Sequence, residues 1–144
     1  MIREITLDDG GMNLLSSDAL RRLREQLRVA SCELRAEVHA QLATRNTELL
    51  LLRLSRAAGA DMNEMRRFTA ADAEEFSRLG QETFDAIERL PFLTVVAIDG
   101  DCFGGALDLA LAFDLRYATP RSTRQSSACS RSCRGMRIGC RSEK

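Results

Sequence analysis

Two short stretches of this chain would present backbone, rather than side chains, at a place where chemistry could occur. Ala58-Gly59-Ala60-Asp61 and Phe103-Gly104-Gly105-Ala106 each set small residues at a tight bend, and the second leads directly into an apolar helical run. N–H groups at the start of a helix lack a partner inside it and lie at the positive end of its dipole, so they suit negative charge developing on oxygen. Two such groups converging on one point would form an oxyanion hole. Glycines before helices also serve packing alone, so neither stretch carries much by itself. Asp108 follows Gly105 by three positions and shares its helix face. It either points a carboxylate into the same cleft or merely interrupts an apolar helix beside a polar cavity.

Positioning these bends requires a frame of strands and helices. Residues 2–7 alternate apolar and polar and predict a short strand, after which Asp8-Asp9-Gly10-Gly11 breaks the chain. Ser16-Ser17-Asp18 offers N-cap oxygens to a helix whose apolar positions are Leu20, Leu23, Leu27, Leu34 and Val38. The run Leu49-Leu50-Leu51-Leu52 fits a strand covered on both faces or the end of a helix, and a strand is favoured because Ala57 to Asp61 follows as a turn. Thr69 with Asp72 resembles a capping box, opening a helix with the stripe Phe76, Leu79, Thr83, Phe84, Ile87 and Leu90 that Pro91 terminates. Leu93 to Ile98 predicts a buried parallel strand, Asp99-Gly100-Asp101 a turn, Ala106 to Phe113 a helix, and Asp114 to Ala118 a returning strand. Strands alternating with helices imply a layered α/β domain with right-handed crossovers.

The chain has 144 residues and 21 Lys+Arg against 21 Asp+Glu, enough for one domain with a real core and no basic excess for nucleic acid or membrane surfaces. No apolar run approaches the ~20 residues of a membrane span and no signal-peptide pattern opens the chain, so a cytoplasmic protein is expected. The charge is divided unevenly. Residues 1–120 hold 14 Arg and 20 acids, whereas residues 121–144 hold six Arg, the only Lys and one acid. Residues 1–120 are therefore read as the core, and 121–144 as a basic Arg/Ser/Cys-rich tail with too little to bury to become ordered.

Taken in order, Ala58 to Met65, Leu90-Pro91, Val95 to Gly100 and Gly104 to Ala118 resemble the enoyl-CoA hydratase/isomerase (crotonase) family, and Met12 to Ser16 is similar to its N-terminal signature. The resemblance implies a crotonase-like α/β fold, present without the family's C-terminal helices. It implies that the N–H groups of Ala60 and Gly105 hold the thioester oxygen of an acyl-CoA, the substrate, with no further cofactor or metal. Ala58, Gly59, Asp61, Met62 and Gly104 would then lie along the CoA and acyl path. Asp108 occupies a position where the hydratases carry Glu; one methylene shorter, it reaches a water or a substrate carbon less well, and as the sole candidate acid/base it favours proton transfer next to the carbonyl over addition of water. The family's second acid would fall near Ala128, where Arg124 to Cys129 contains no carboxylate. Enoyl-CoA hydration or isomerisation is thus one expectation, and an inactive fragment that binds acyl-CoA or a partner is the other. The family's homo-oligomers would be weakened by loss of the C-terminal helices.

Cys129, Cys133 and Cys140 are spaced at four and seven, without a C-x-x-C pair, and the sole His, His39, lies far upstream on a helix, so a zinc site is not expected. Cys32 and Cys102 read as small buried hydrophobes. The resemblance stops near Pro120, and 20 Arg against one Lys suits GC-rich coding sequence, so a truncated or frameshifted family member is expected.

Overall fold

The computed structural model describes residues 2–7, 11–40, 49–122 and 124–125. In chain order the elements are β1 (Ile2–Leu7), β2 (Leu14–Leu15), α1 (Ser17–Ala40), β3 (Leu49–Ala57), β4 (Gly59–Ala60), α2 (Met62–Met65), α3 (Ala70–Glu88), β5 (Leu93–Phe103), α4 (Gly105–Leu111), β6 (Leu115–Ala118) and β7 (Arg124–Gln125). The main sheet runs β1-β3-β5-β6 with every pairing parallel, and β7 pairs with β5 beyond β6. β2 and β4 form a separate parallel pair. This is the α/β arrangement that the alternating pattern predicts.

The strand order advances in one direction, so right-handed crossovers put α1, α3 and α4 on the same face of the sheet. There they share one core, in which Leu23, Leu27, Ile87, Leu107 and Leu109 meet Leu50, Leu52, Leu54, Val96 and Ile98. The expectation that the leucine run is covered on both faces is corrected accordingly. Leu50, Leu52 and Leu54 are buried, Leu49 and Leu51 only half so, and Arg53 is exposed and paired with Glu4. On the same uncovered face, Leu115 and Tyr117 of β6 stand 41% and 48% exposed.

α1 and α3 begin where the sequence says, whereas α2 is not foreseen and α4 spans Gly105–Leu111 rather than Ala106 to Phe113. The Ser16 hydroxyl accepts the Ala19 N–H at 3.1 Å to cap α1. Thr69 and Asp72 form the capping box of α3: the Thr69 hydroxyl accepts the Asp72 N–H at 3.2 Å, and Asp72 accepts the Thr69 N–H at 2.8 Å. The Thr69 hydroxyl, and then its N–H, hold the Asp72 carboxyl below its ordinary pKa. Leu20, Leu23 and Leu27 are buried as expected, and the side chains of Leu34, Val38 and His39 lie outside the described residues. Cys102 is buried, but Cys32 is exposed, correcting its reading as a buried hydrophobe. Five positions beyond Leu27, it is rotated off the buried stripe and lines the groove between α1 and α3.

The bounds of β5 and β6 also differ from expectation. β5 does not turn at Asp99-Gly100-Asp101 but continues to Phe103, because the register shifts: Ser55 pairs with Asp99 and Ala57 with Cys102. Two residues of β5 thus oppose the single residue Arg56, a bulge that Arg56 (φ 43°) and Gly100 (φ 95°) accommodate with left-handed backbone. The returning strand starts at Leu115, since Asp114 is engaged elsewhere. Its carboxylate accepts the N–H and hydroxyl of buried Thr94 at 2.9 and 2.8 Å, and its own N–H donates to the Thr94 hydroxyl at 3.0 Å. Thr94→Val removes that hydroxyl at almost constant shape and strands the Asp114 N–H. It is expected to destabilise by about 1–3 kcal/mol, read as a lower urea midpoint at unchanged m. An unchanged midpoint would mean that the two hydrogen bonds of the Thr94 hydroxyl with Asp114 contribute nothing.

Arg124 and Gln125 pair with Cys102 and Phe103, so the start of the basic segment joins the sheet. The Asp8-Asp9-Gly10 break, Ala128, and Cys129, Cys133 and Cys140 lie outside the described residues.

Candidate functional site

The predicted turn from Ala57 to Asp61 is instead the end of β3 followed by the two-residue strand β4. What straightens it is the segment before α1. The Ala58 N–H donates to the Met12 carbonyl at 3.0 Å, Gly59 and Ala60 lie in register with Leu14 and Leu15, and the Asp61 N–H donates to the Leu15 carbonyl at 3.2 Å. A pattern-based reading sees four small residues and infers a bend, because the partner strand that extends them lies more than 40 positions away.

At the other bend, β5 ends at Phe103 and α4 begins at Gly105, with Gly104 as its N-cap at φ 52°, ψ −130°. Few residues other than glycine adopt that conformation. The Leu107 and Asp108 N–H groups return to the Gly104 carbonyl at 2.9 and 3.1 Å. Gly105 thereby occupies the first helical position, where α4 itself supplies no acceptor for its N–H. Asp108 lies half-buried in the first turn, one turn along from Gly105, while Ala106, Leu107, Leu109 and Ala110 are buried.

The two bends touch. A β-carbon built on Gly59 would stand 2.8 Å from the Phe103 carbonyl oxygen and 3.1 Å from the Gly105 nitrogen. One built on Gly105 would stand 3.9 Å from the Ala60 nitrogen. Gly59, itself at φ 87°, is therefore the residue that lets the β4 backbone lie against the β5–α4 junction. Ala58, Gly59, Ala60, Gly104, Gly105 and Asp108 thus gather at the C-terminal end of β5, where parallel sheets bind ligands.

Asp61 and Met62 are placed differently. The Asp61 carboxylate caps α2, accepting the N–H groups of Asn63 at 2.8 Å and Glu64 at 3.3 Å, and Met62 is 60% exposed. Asp61 also lines a cavity of about 370 Å³ beneath the N-terminus of α1, with Asp18, Arg21, Glu64, Glu75 and Phe76. Ala60, Gly105 and Asp108 are outside its walls.

Two residues escaped sequence reasoning. Glu64 accepts the Ser17 N–H at 2.9 Å, capping α1 from 47 positions away. Asn13, 2% exposed, donates its side-chain amide to the Ser55 carbonyl. Asn13 has φ 46°, in the left-handed region that asparagine tolerates better than most residues. Among the described residues no group of three or more His, Cys, Asp and Glu could hold a metal ion, and no helix is long and apolar enough to cross a membrane.

Comparison with known proteins agrees with this fold. The sequence profile named Enoyl-CoA hydratase/isomerase matches residues 55–130, which include both bends and Asp108. Over 127 residues the chain is 36% identical to the fatty acid oxidation complex subunit alpha of Shewanella loihica, covering 83% of this chain and 18% of that protein. It is 34% identical over 109 residues to the enoyl-CoA isomerase/hydratase fer4 of Mycosarcoma maydis, covering 74% of this chain and 39% of that one. Among solved structures, an enoyl-CoA hydratase/isomerase family protein from Hyphomonas neptunium superposes with a TM-score of 0.72 at 26% identity, covering 88% of this chain and 47% of that one. An enoyl-CoA hydratase/carnitine racemase from Magnetospirillum magneticum gives 0.71 at 26%, covering 87% and 45%. The chain thus spans less than half the length of these relatives, yet the profile match, the curated relatives and the superposed folds coincide. This chain belongs to the enoyl-CoA hydratase/isomerase family.

Proposed function

We propose that the chain binds an acyl-CoA thioester with its carbonyl oxygen between the N–H groups of Ala60 and Gly105, and transfers a proton at the carbon next to that carbonyl through Asp108. The observation that carries this reading is the contact of the two bends, with the Gly59 β-carbon position 3.1 Å from the Gly105 nitrogen. Removing the proton places negative charge on the thioester oxygen as an enolate. Two backbone donors fixed before the reaction begins stabilise that charge without reorganising. The same carboxylate can return the proton further along the chain, so the double bond moves and atoms balance with one acid/base group. Addition of water needs a second positioned carboxylate, and Arg124 to Cys129 supplies none. The name of the Shewanella relative, a fatty acid oxidation subunit, supports a fatty acyl-CoA as substrate. The acidic wall formed by Asp18, Asp61, Glu64 and Glu75 disfavours the phosphates of CoA, which would therefore lie away from that cavity.

Turnover of a 3-enoyl-CoA and of crotonyl-CoA, followed by absorbance beside calorimetric titration with acetyl-CoA, tests the assignment. Asp108→Ala is expected to lower turnover about 10²–10⁴-fold while acetyl-CoA binding stays within about threefold. Turnover unaffected by Asp108→Ala would remove Asp108 from the chemistry. The lack of a second acid supports a second reading, a protein that binds acyl-CoA without turning it over. Wild-type binding with no turnover of either substrate would establish it. The exposed Leu115 and Tyr117 support self-association through the uncovered sheet face.

A further inference from the structure

We infer that Asn13 is a positioning residue that holds the Ala60 N–H in place against Gly105. This inference rests on the acyl-CoA reading of that site. Asn13 is 2% exposed, and its side-chain amide donates to the Ser55 carbonyl, 42 positions away. Ser55 is the last residue of β3 before the bulge, where Arg56 (φ 43°) turns the strand out of its first register. The neighbours of Asn13 bind the other side of the bulge: the Met12 carbonyl takes the Ala58 N–H, Leu14 and Leu15 pair with Gly59 and Ala60, and the Leu15 carbonyl takes the Asp61 N–H. Residues 12–15 therefore hold 55–61 at both ends, through the Asn13 side chain at the strand end and through backbone at the oxyanion end.

β2 and β4 pair as strands only with each other, outside the main sheet, and β4 reaches that sheet through Ala57, which pairs with Cys102. The Asn13 amide ties that pair to β3, and hence to the β5–α4 junction that carries Gly105. A left-handed backbone explains why asparagine is tolerated at this position, but not why its amide is buried and directed at a strand carbonyl. Displacement of a donor by about 1 Å is enough to cost on the order of 100-fold in rate, so a tie of this kind can act on the chemistry without touching substrate.

Two variants separate the amide from the backbone requirement. Asn13→Gly keeps the left-handed conformation and deletes the side chain. Asn13→Asp keeps size and conformational preference but replaces the donor with a carboxylate facing the Ser55 carbonyl. In both, amide exchange measured by NMR is expected to speed up about tenfold or more at Ala58 and Asp61, while Val96 in the core of β5 stays protected and reports an intact fold. With acetyl-CoA labelled at its carbonyl carbon, the change in carbon-13 shift on binding is expected to shrink by about half or more. With a turned-over enoyl-CoA, kcat is expected to fall about tenfold or more with KM within about twofold, a split that general loosening of the fold would not produce. Exchange at Ala58 and Asp61 within about twofold of wild type in both variants, with Val96 protected, would overturn the inference. A wild-type protein that fails to bind acetyl-CoA would instead overturn the acyl-CoA reading, and exchange at Ala58 and Asp61 would then decide by itself whether Asn13 ties the two segments.

Discussion

Gly59→Ala is expected to lose acetyl-CoA binding by about 100-fold or more and to lower stability by about 2–5 kcal/mol. The estimate combines two costs. Gly59 sits at φ 87°, where an L side chain is strained by about 1–2 kcal/mol. Its new β-carbon would also come within 2.8 Å of the Phe103 carbonyl oxygen and 3.1 Å of the Gly105 nitrogen. Both are backbone atoms and cannot swing aside as a side chain would, so either β4 or the β5–α4 junction must move, at an overpacking cost of about 1–3 kcal/mol. Whichever moves, the Ala60 and Gly105 donors separate. Gly80→Ala is the matched control: Gly80 lies inside α3 with nothing within 4 Å of its added β-carbon, so the same substitution there is expected to stabilise by up to about 1 kcal/mol. Urea midpoints and calorimetric titrations on the two variants give both quantities. Wild-type affinity in Gly59→Ala would mean that the two bends do not share a ligand atom.

The contrast between Gly59 and Gly80 also shows what is legible in the sequence. Both are single glycines, and no rule of spacing or turn composition says that one is indispensable and the other a helix residue lacking a side chain. The elements themselves are readable where periodicity and caps lie within a few residues: Thr69 and Asp72 announce the start of α3 three positions apart, and the apolar–polar pattern of residues 2–7 announces β1. The β5 bulge is not readable, because Asp99-Gly100-Asp101 has turn composition and only pairing with β3 across the Arg56 irregularity keeps it extended. Asp61 shows the same limit at the site. Position along the chain marks it for a ligand path but does not show that its carboxylate also caps α2. Glu64 and Asn13 act across 47 and 42 positions, and no spacing rule reaches that far. Ordered motifs therefore single out the two bends, whereas long-range hydrogen bonds such as those of Glu64 and Asn13 become visible only when distant segments are brought together.

Gly105→Pro is expected to lower turnover about 100- to 1,000-fold, or acetyl-CoA affinity by a similar factor if the protein only binds, while the fold persists. Gly105 occupies the first position of α4, where proline is favoured because the helix makes no use of that N–H. The ring would therefore remove one proposed donor and set a methylene where the thioester oxygen is to lie, with little demand on α4. Loss of a single oxyanion donor accounts for about 3–4 kcal/mol of transition-state stabilisation, which gives the factor stated. Gly105→Ala separates donor from shape. Its β-carbon would meet the Leu15 Cδ1 at 3.7 Å and the Ala60 nitrogen at 3.9 Å, ordinary contacts, and its N–H remains. Alanine is thus expected to retain activity within about tenfold while proline loses it, both with wild-type circular dichroism. If both variants lose activity equally, the space beside Gly105 matters more than its hydrogen, and if neither does, the charge on the thioester oxygen is stabilised elsewhere. Only a large gap between the two variants fits a reaction in which the Gly105 N–H meets an oxygen that becomes anionic.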